Sequence, residues 1–282
     1  VDLLTPASVR ALLDEHGIHP KKSLGQHFLA DPNTARRVAA LAAVQPGDAV
    51  VEIGPGLGSL TLALVERGAR VLAVEVDTRL AAVLESVLQT AGVEEEVDVQ
   101  VADALTVDWH TVLGGAPEWS CVSNLPYNVA VPVVVRLLEN ARAVTRIVAM
   151  VQREVGERLA AGPGDPEYGA VSVKVRYHAE VSLLGMVPPA VFVPRPKVDS
   201  ALVGMDRRAA PPVTVPSEDE LFELVRSGFS QRRKMLRRSL RPVLGADASA
   251  VLEAAGVEPT ARAETLGLDE WAALARSAAD AA

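Results

Sequence analysis

The 282-residue sequence predicts an α/β fold: a Rossmann-like, doubly wound sheet of seven mostly parallel strands with an antiparallel edge hairpin, followed by a small all-α domain. Three observations predict it. Apolar runs of strand length alternate with stretches of helix length from residue 49 to residue 161. A glycine-rich turn, Gly54-Pro55-Gly56-Leu57-Gly58, joins the first strand of that series to its helix. Beyond residue 216 strand-like runs cease and only helical patterns remain.

The elements follow in order. Asp31-Pro32 is an N-cap followed by proline at the first helical position, and it opens a helix that stops before Pro46-Gly47. AVVEIG (49–54) is a buried-strand run ending in glycine, and a helix from Ser59 to Arg67 closes at Gly68. RVLAVEVD (70–77) is the second strand, 78–90 its helix, and EVDVQVAD (96–103) the third strand. SCVSN (120–124) is the fourth, with a helix starting near Pro132. RIVAMVQ (146–152) is the fifth, leading into the helix REVGERLAA (153–161). HAEVSLLGMV (178–187) and VDSALVGMDR (198–207) are joined by a proline-rich connection without a helix, which predicts the antiparallel edge pair. AAPPVTVP (209–216) is a linker by composition, so domains are expected over 1–211 and 212–282.

With 49% hydrophobic and 23% charged residues, the chain has the composition of an ordinary soluble globular protein. Its one cysteine, Cys121, excludes an internal disulfide and supplies no metal cluster, which fits a reducing cytosol. The first residues carry acids where a signal peptide would carry bases, and no stretch is apolar enough for a membrane span. No metal, no membrane partner and a cytoplasmic location are expected. A net charge of −8 argues against a nucleic-acid partner unless the bases are gathered in one place.

Acids end the strands that follow the glycine turn. Gly54 and Gly56 let the backbone pass close to a ligand at a helix N-terminus. Glu75 stands 21 residues after Gly54, where a carboxylate accepts from both hydroxyls of a ribose. A nicotinamide enzyme would use the same geometry. Asp103 is placed to accept from an adenine amino group, or to cap the segment that follows. The G-x-G-x-G spacing lacks the extra glycine that pyrophosphate binding uses, so the expected nucleoside is S-adenosylmethionine, in the class I methyltransferase arrangement.

Asn124-Leu125-Pro126-Tyr127 ends the fourth strand. An aromatic amino nitrogen such as adenine N6 is a poor nucleophile because its lone pair is delocalised. Two acceptors, the Asn124 side-chain oxygen and a carbonyl near Leu125, would hold its hydrogens and localise that pair. Pro126 stiffens the loop, and Tyr127 offers a ring for a base out of its helix. The plainer alternative is a turn with a core tyrosine.

Bases are gathered at one place. Arg226, Arg232, Arg233, Lys234, Arg237, Arg238 and Arg241 occur with no acid between Glu223 and Asp247. On one helical wheel Val225, Phe229, Leu236 and Leu240 share a face, with Arg226, Arg233, Lys234, Arg237 and Arg241 in a stripe beside it. An amphipathic helix over 226–241 that binds RNA phosphates is the expectation. Lys21, Lys22, Arg36 and Arg37 are the alternative basic group.

Nearly the whole chain resembles the kasugamycin-sensitivity family of ribosomal RNA adenine dimethyltransferases. The resemblance rests on KKSLGQHFL (21–29), VEIGPGLGSLT (51–61), NLPYNVAVP (124–132), VQREVGERLAAGPGDPEYG (151–169), VPPAVFVPRPKVDSA (187–201), FSQRRKMLRRSL (229–240) and EPTARAETL (258–266). It implies transfer of four methyl groups from S-adenosylmethionine to the N6 atoms of two adjacent adenines near the 3′ end of 16S rRNA. The expected partner is the immature 30S subunit, met by a monomeric enzyme. The family's cofactor contacts fall on His27, Leu29, Gly54, Glu75, Asp103 and Asn124. His27 stands where the family often has Asn and is expected to offer a side-chain donor to the methionine carboxylate. Tyr127 and Phe192 are the family's sandwich for the target base, although Phe192 reads equally as a core residue. The rivals are a resistance-type 23S rRNA dimethyltransferase and a non-catalytic assembly factor of the same fold.

Overall fold

The computed structural model describes residues 1–20, 25–114, 116 and 118–281. Lys21 and Lys22 lie outside the described residues. Two compact units emerge: residues 1–156 with 181–207, and residues 157–180 with those from Arg208 onward.

The first unit begins with α1 (Pro6–Glu15), β1 (Phe28–Leu29) and α2 (Pro32–Leu41). Asp31 caps α2, its Oδ1 accepting from Thr34 N at 2.9 Å. The alternating series is β2 (Ala49–Ile53), α3 (Ser59–Glu66), β3 (Arg70–Glu75), α4 (Thr78–Ala91), β4 (Val97–Val101), α5 (Trp109–Val112), β5 (Trp119–Asn124), α6 (Ala130–Asn140) and β6 (Val144–Gln152). After α7 (Arg153–Ala160) and α8 (Ala170–His178) come β7 (Ala179–Val187), β8 (Phe192–Val193) and β9 (Ser200–Arg207). The seven-stranded sheet has the order β4-β3-β2-β5-β6-β9-β7. Its first five strands are parallel, β9 runs antiparallel to β6, and β7 forms the edge. The predicted fold class is the observed one.

This order positions the site. From β2 the chain steps outward to β3 and β4, then returns to β5 on the other side and moves on to β6. The crevice between β2 and β5 is therefore a topological switch point, open at the strand C-termini. β2 and β3 are in register from Ala49↔Arg70 to Ile53↔Val74, so the glycine turn and Glu75 come to the same end. α3 has no polar face, and all but its last residue is buried.

Two features have no signal in the sequence. β1 and β8 form a two-stranded ladder, Phe28↔Val193 and Leu29↔Phe192, between segments more than 160 residues apart. The Arg207 guanidinium caps the carboxyl end of α6, donating to the carbonyls of Leu138 at 2.8 Å, Leu137 at 2.9 Å and Ala141 at 3.1 Å.

The second unit has its own core and, with α8, is all helical after the linker: α9 (Glu218–Ser230), α10 (Leu236–Ser239), α11 (Arg241–Leu244), α12 (Ala248–Ala254) and α13 (Leu268–Asp280). The units do not divide at residue 211. Residues 157–180 group with the C-terminal helices, because Tyr168, Val173 and Tyr177 join a core with Leu221, Phe222, Leu236 and Trp271. The GPGDPEYG turn serves this core: Gly162 N donates to Asp165 Oδ2 at 2.7 Å and the Tyr168 hydroxyl to Leu266 O at 3.0 Å.

The predicted single helix over 226–241 is not formed. α9 ends at Ser230, residues 231–235 turn, and α10 and α11 follow as short separate helices. The physical reason is tertiary. The first amides of α10 take carbonyls from another segment, Leu236 N to Ala261 O at 2.8 Å and Arg237 N to Pro259 O at 3.1 Å, where a continuous helix would use its own preceding turn. Val225, Leu236 and Leu240 still reach one core, but from two helices rather than one face.

Candidate active site

A cavity of about 250 Å³ opens at the switch point. It is lined by His27, Leu29, Gly54, Gly56, Glu75, Asp103, Asn124, Leu125, Pro126 and Tyr127, all of them expected from the sequence. Strand ends deliver most of them: Gly54 follows β2, Glu75 ends β3, Asp103 follows β4 and Asn124 ends β5.

The glycine turn is a cradle that side chains would fill. Gly54 and Gly56 have φ of +69° and +58°, which side chains rarely adopt. A Cβ on Gly56 would also stand 2.9 Å from Phe28 Cδ1. Glu75 braces the turn from β3. Its Oε2 accepts from Gly56 N at 3.3 Å and its Oε1 from Asp77 N at 3.0 Å. Burial raises its pKa above the usual carboxylate value in spite of these amides. Asp103 is exposed and accepts from Leu105 N at 2.9 Å, so it caps its own turn and lines the cavity at once.

The loop after β5 is fixed residue by residue. Asn124 Nδ2 donates to the His27 carbonyl at 3.1 Å, and among the described residues no donor reaches Asn124 Oδ1. Leu125 is buried and its amide donates to Met150 O at 3.0 Å. Pro126 stands over the glycine turn, its Cδ 3.4 Å from where a Gly54 Cβ would lie. Tyr127 is half-buried, its hydroxyl 2.9 Å from Ser200 Oγ and its ring centroid 5.2 Å from that of His27. Burial raises the phenol pKa.

Two expectations are corrected here. Phe192 does not line the cavity: it is 2% exposed, inside the main core, because its β8 register opposite Leu29 turns the ring inward. His27 cannot offer its neutral ring as a donor to a ligand. Its Nδ1 lies 2.8 Å from Pro194 O, a carbonyl that only accepts, so Nδ1 carries the proton and Nε2 is left an acceptor until the ring is protonated.

A family model described as ribosomal RNA adenine dimethylase matches residues 18–280. The chain belongs to that family. Among its relatives, the ribosomal RNA small subunit methyltransferase A of Thermobifida fusca is 48% identical over 277 residues, covering 97% of this chain and 95% of that one. The protein of the same name from Leifsonia xyli is 49% identical over 281 residues, with coverage of 97% and 98%. The crystal structure of the 23S rRNA methyltransferase ErmE superposes with a TM-score of 0.67 at 28% identity, covering 89% of this chain and 98% of that chain. A dimethyladenosine transferase from Plasmodium falciparum has the same fold, with a TM-score of 0.74 at 24% identity and coverage of 88% and 96%.

In this member of the dimethylase family, sequence reasoning missed Glu52 and Ser200. Glu52 sits inside the AVVEI run, 1% exposed, lining the cavity, with Thr61 Oγ1 donating to its Oε2 at 2.6 Å. Burial pushes its pKa up to about 8. A charged residue within an apolar strand was the available signal. Ser200, fully buried at the start of β9, had none, since its contact with Tyr127 spans 73 residues.

The basic residues clustered between Arg226 and Arg241 are exposed. Among the described residues Arg226, Arg233, Lys234, Arg237 and Arg241 make no ion pair, whereas Arg232 lies 3.5 Å from Glu264. Arg36 is neutralised by Glu66 at 2.7 Å, and Arg37 donates to Met186 O at 3.2 Å. Among the described residues, no helix is long and apolar enough to cross a membrane, and no group of three or more His, Cys, Asp or Glu could hold a metal.

Proposed function

We propose that the chain is an S-adenosylmethionine-dependent rRNA adenine N6-dimethyltransferase, acting on two adjacent adenines near the 3′ end of 16S rRNA in the immature small subunit, in the cytoplasm. One observation carries the reading. In a chain of the dimethylase family, a single cavity joins a glycine cradle and two strand-end acids, Glu75 and Asp103, to an asparagine whose oxygen accepts from no donor among the described residues. The names of the relatives near half identity favour the small subunit over the 23S alternative.

The donor set fits the cofactor: Glu75 for ribose hydroxyls, Asp103 for an adenine amino group and the open backbone of Gly54 and Gly56 beside them. When bound, S-adenosylmethionine supplies an electrophilic methyl group on a cationic sulfur. Asn124 Oδ1 and the Leu125 carbonyl hold the two N6 hydrogens of the target adenine, which localises the nitrogen lone pair. The tie from Asn124 Nδ2 to His27 fixes which end of the amide is the acceptor. Tyr127 stacks the base, and its hydroxyl, committed to Ser200 with a raised pKa, stays protonated at neutral pH and takes no part as a base. Positioning and charge complementarity carry the rate. In the second unit, Arg226, Arg233, Lys234, Arg237 and Arg241 bind rRNA phosphates.

The test is mass mapping of N6-dimethyladenosine on 30S particles from undermethylated cells, incubated with the protein and labelled cofactor. Two adjacent dimethylated adenines near the 16S 3′ end are expected. Label on the 23S rRNA of 50S particles incubated in parallel would establish the resistance-type rival, and no label on either particle the non-catalytic one.

A further inference from the structure

Glu52 is the least explained group in the first unit. It lies in β2, opposite Ala73 of β3, in a run otherwise made of Ala, Val and Ile. A carboxyl in such a place costs stability unless something compensates it. Its hydrogen-bond donor is a neutral hydroxyl, that of the fully buried Thr61 on α3. The charged and titratable neighbours do not help. Glu75 on β3 acts on it as a like charge, and the Cys121 thiol on β5 is held up to about 12 by burial with Glu52 adding to the shift. Among the described residues, Asp103, Tyr127 and His27 are the other titratable side chains of the cavity, and of these only His27 can become a cation. A purely structural tie from β2 to α3 would need no carboxyl, since a glutamine accepts from Thr61 equally well.

We propose that Glu52 is the residue by which the cleft distinguishes the positively charged methyl donor from its uncharged product. The inference rests on the cofactor reading above. S-adenosylmethionine carries a sulfonium, an ammonium and a carboxylate, a net charge of about +1, whereas S-adenosylhomocysteine lacks the sulfonium charge and is close to neutral. A buried carboxyl with no cation beside it among the described residues is protonated in the ligand-free cleft and ionises when a cation is brought in, its proton passing to the buffer. Methyl transfer removes the sulfonium charge, Glu52 takes a proton back from solvent, and the product loses its electrostatic hold. The donor would thereby be retained and the product released by one group, without a conformational change.

The experiment measures the affinity of the full chain for both ligands between about pH 6 and pH 9, in the wild type and in Glu52→Gln. The sulfonium makes the donor's ammonium more acidic than the product's, so the part played by Glu52 is read as the difference between wild type and Glu52→Gln at each pH. The wild-type preference for the donor is expected to rise with pH and to level off above about 8. Glu52→Gln is expected to bind both ligands, with a preference for the donor reduced about tenfold at pH above about 8 and without the additional rise with pH that wild type shows. An unchanged preference and pH trend in a folded Glu52→Gln protein overturns the proposal while leaving the cofactor reading intact. A wild type that binds neither ligand overturns both. Should Glu52→Gln fail to fold, Thr61→Val decides: removing the donor should move the levelling-off to higher pH, and an unmoved curve counts against Glu52.

Discussion

Asn124 and His27 are joined by a hydrogen bond from the Asn124 side-chain amide to the His27 carbonyl, 3.1 Å across a sequence distance of 97 residues. It orients the amide so that Oδ1 is left for a ligand. Asn124→Ala should lower turnover about 100-fold or more, the scale of removing one positioned polar group. Asn124→Asp keeps an acceptor but loses the donor to His27, so turnover should fall by a smaller factor. Single-turnover methylation of 30S particles at saturating cofactor measures both. Equal, wild-type rates would remove Asn124 from the reaction.

Tyr127 and Ser200 separate stacking from orientation. Tyr127→Ala should weaken productive RNA binding by about 1–3 kcal/mol, because the base has no ring to stack on. Tyr127→Phe and Ser200→Ala break the same 2.9 Å contact and should each cost no more than about 1 kcal/mol, with cofactor affinity intact. The double variant should then resemble either single one. Additive effects in that cycle would show that the contact does not set the ring.

The pH dependence of stability follows from Glu52. Its folded pKa, about 8, lies above the ordinary carboxylate value of 4.5, so the folded state keeps a proton that the unfolded chain has lost. The stability this contributes is fully present below about 4.5 and is lost as pH rises through about 8, at up to about 1.4 kcal/mol per pH unit. Buried Glu75 acts in the same direction. Glu52→Gln lacks the ionisation. The difference in unfolding free energy between wild type and variant should therefore shift in the variant's favour from about pH 5 to pH 8. Parallel curves from denaturant titrations would mean that Glu52 is ionised throughout.

The exposed bases of the second unit can be tested apart from the chemistry. Arg233, Arg237 and Arg241 make no ion pair among the described residues and belong to the turn after α9, to α10 and to α11. Replacing all three with Gln should weaken binding to immature 30S subunits. It should also flatten the salt dependence by roughly 0.7–0.9 log units of slope for each phosphate no longer neutralised. The apolar residues beneath are untouched, so thermal unfolding should change little. An unaltered affinity and slope would show a solvated face.

What the sequence by itself determined is whatever short-range pattern can encode. Apolar runs of strand length separated by helices of known period specified the parallel sheet, and a parallel sheet brings successive strand C-termini to one end. That is why Gly54, Glu75, Asp103 and Asn124 could be placed in one cleft from the sequence. Tertiary structure decided everything that depends on a partner far along the chain. A single helix through 226–241 fails because carbonyls at 259 and 261 end the helix that local pattern would continue. Phe192 turns inward because β8 pairs with a strand more than 160 residues earlier, and residues 157–180 join the C-terminal helices because their aromatic side chains complete that core. The protonation of Glu52 belongs to this second group. Its letter is visible in the sequence, but its pKa is set by burial, and burial exists only once β2, α3 and β5 have closed around it.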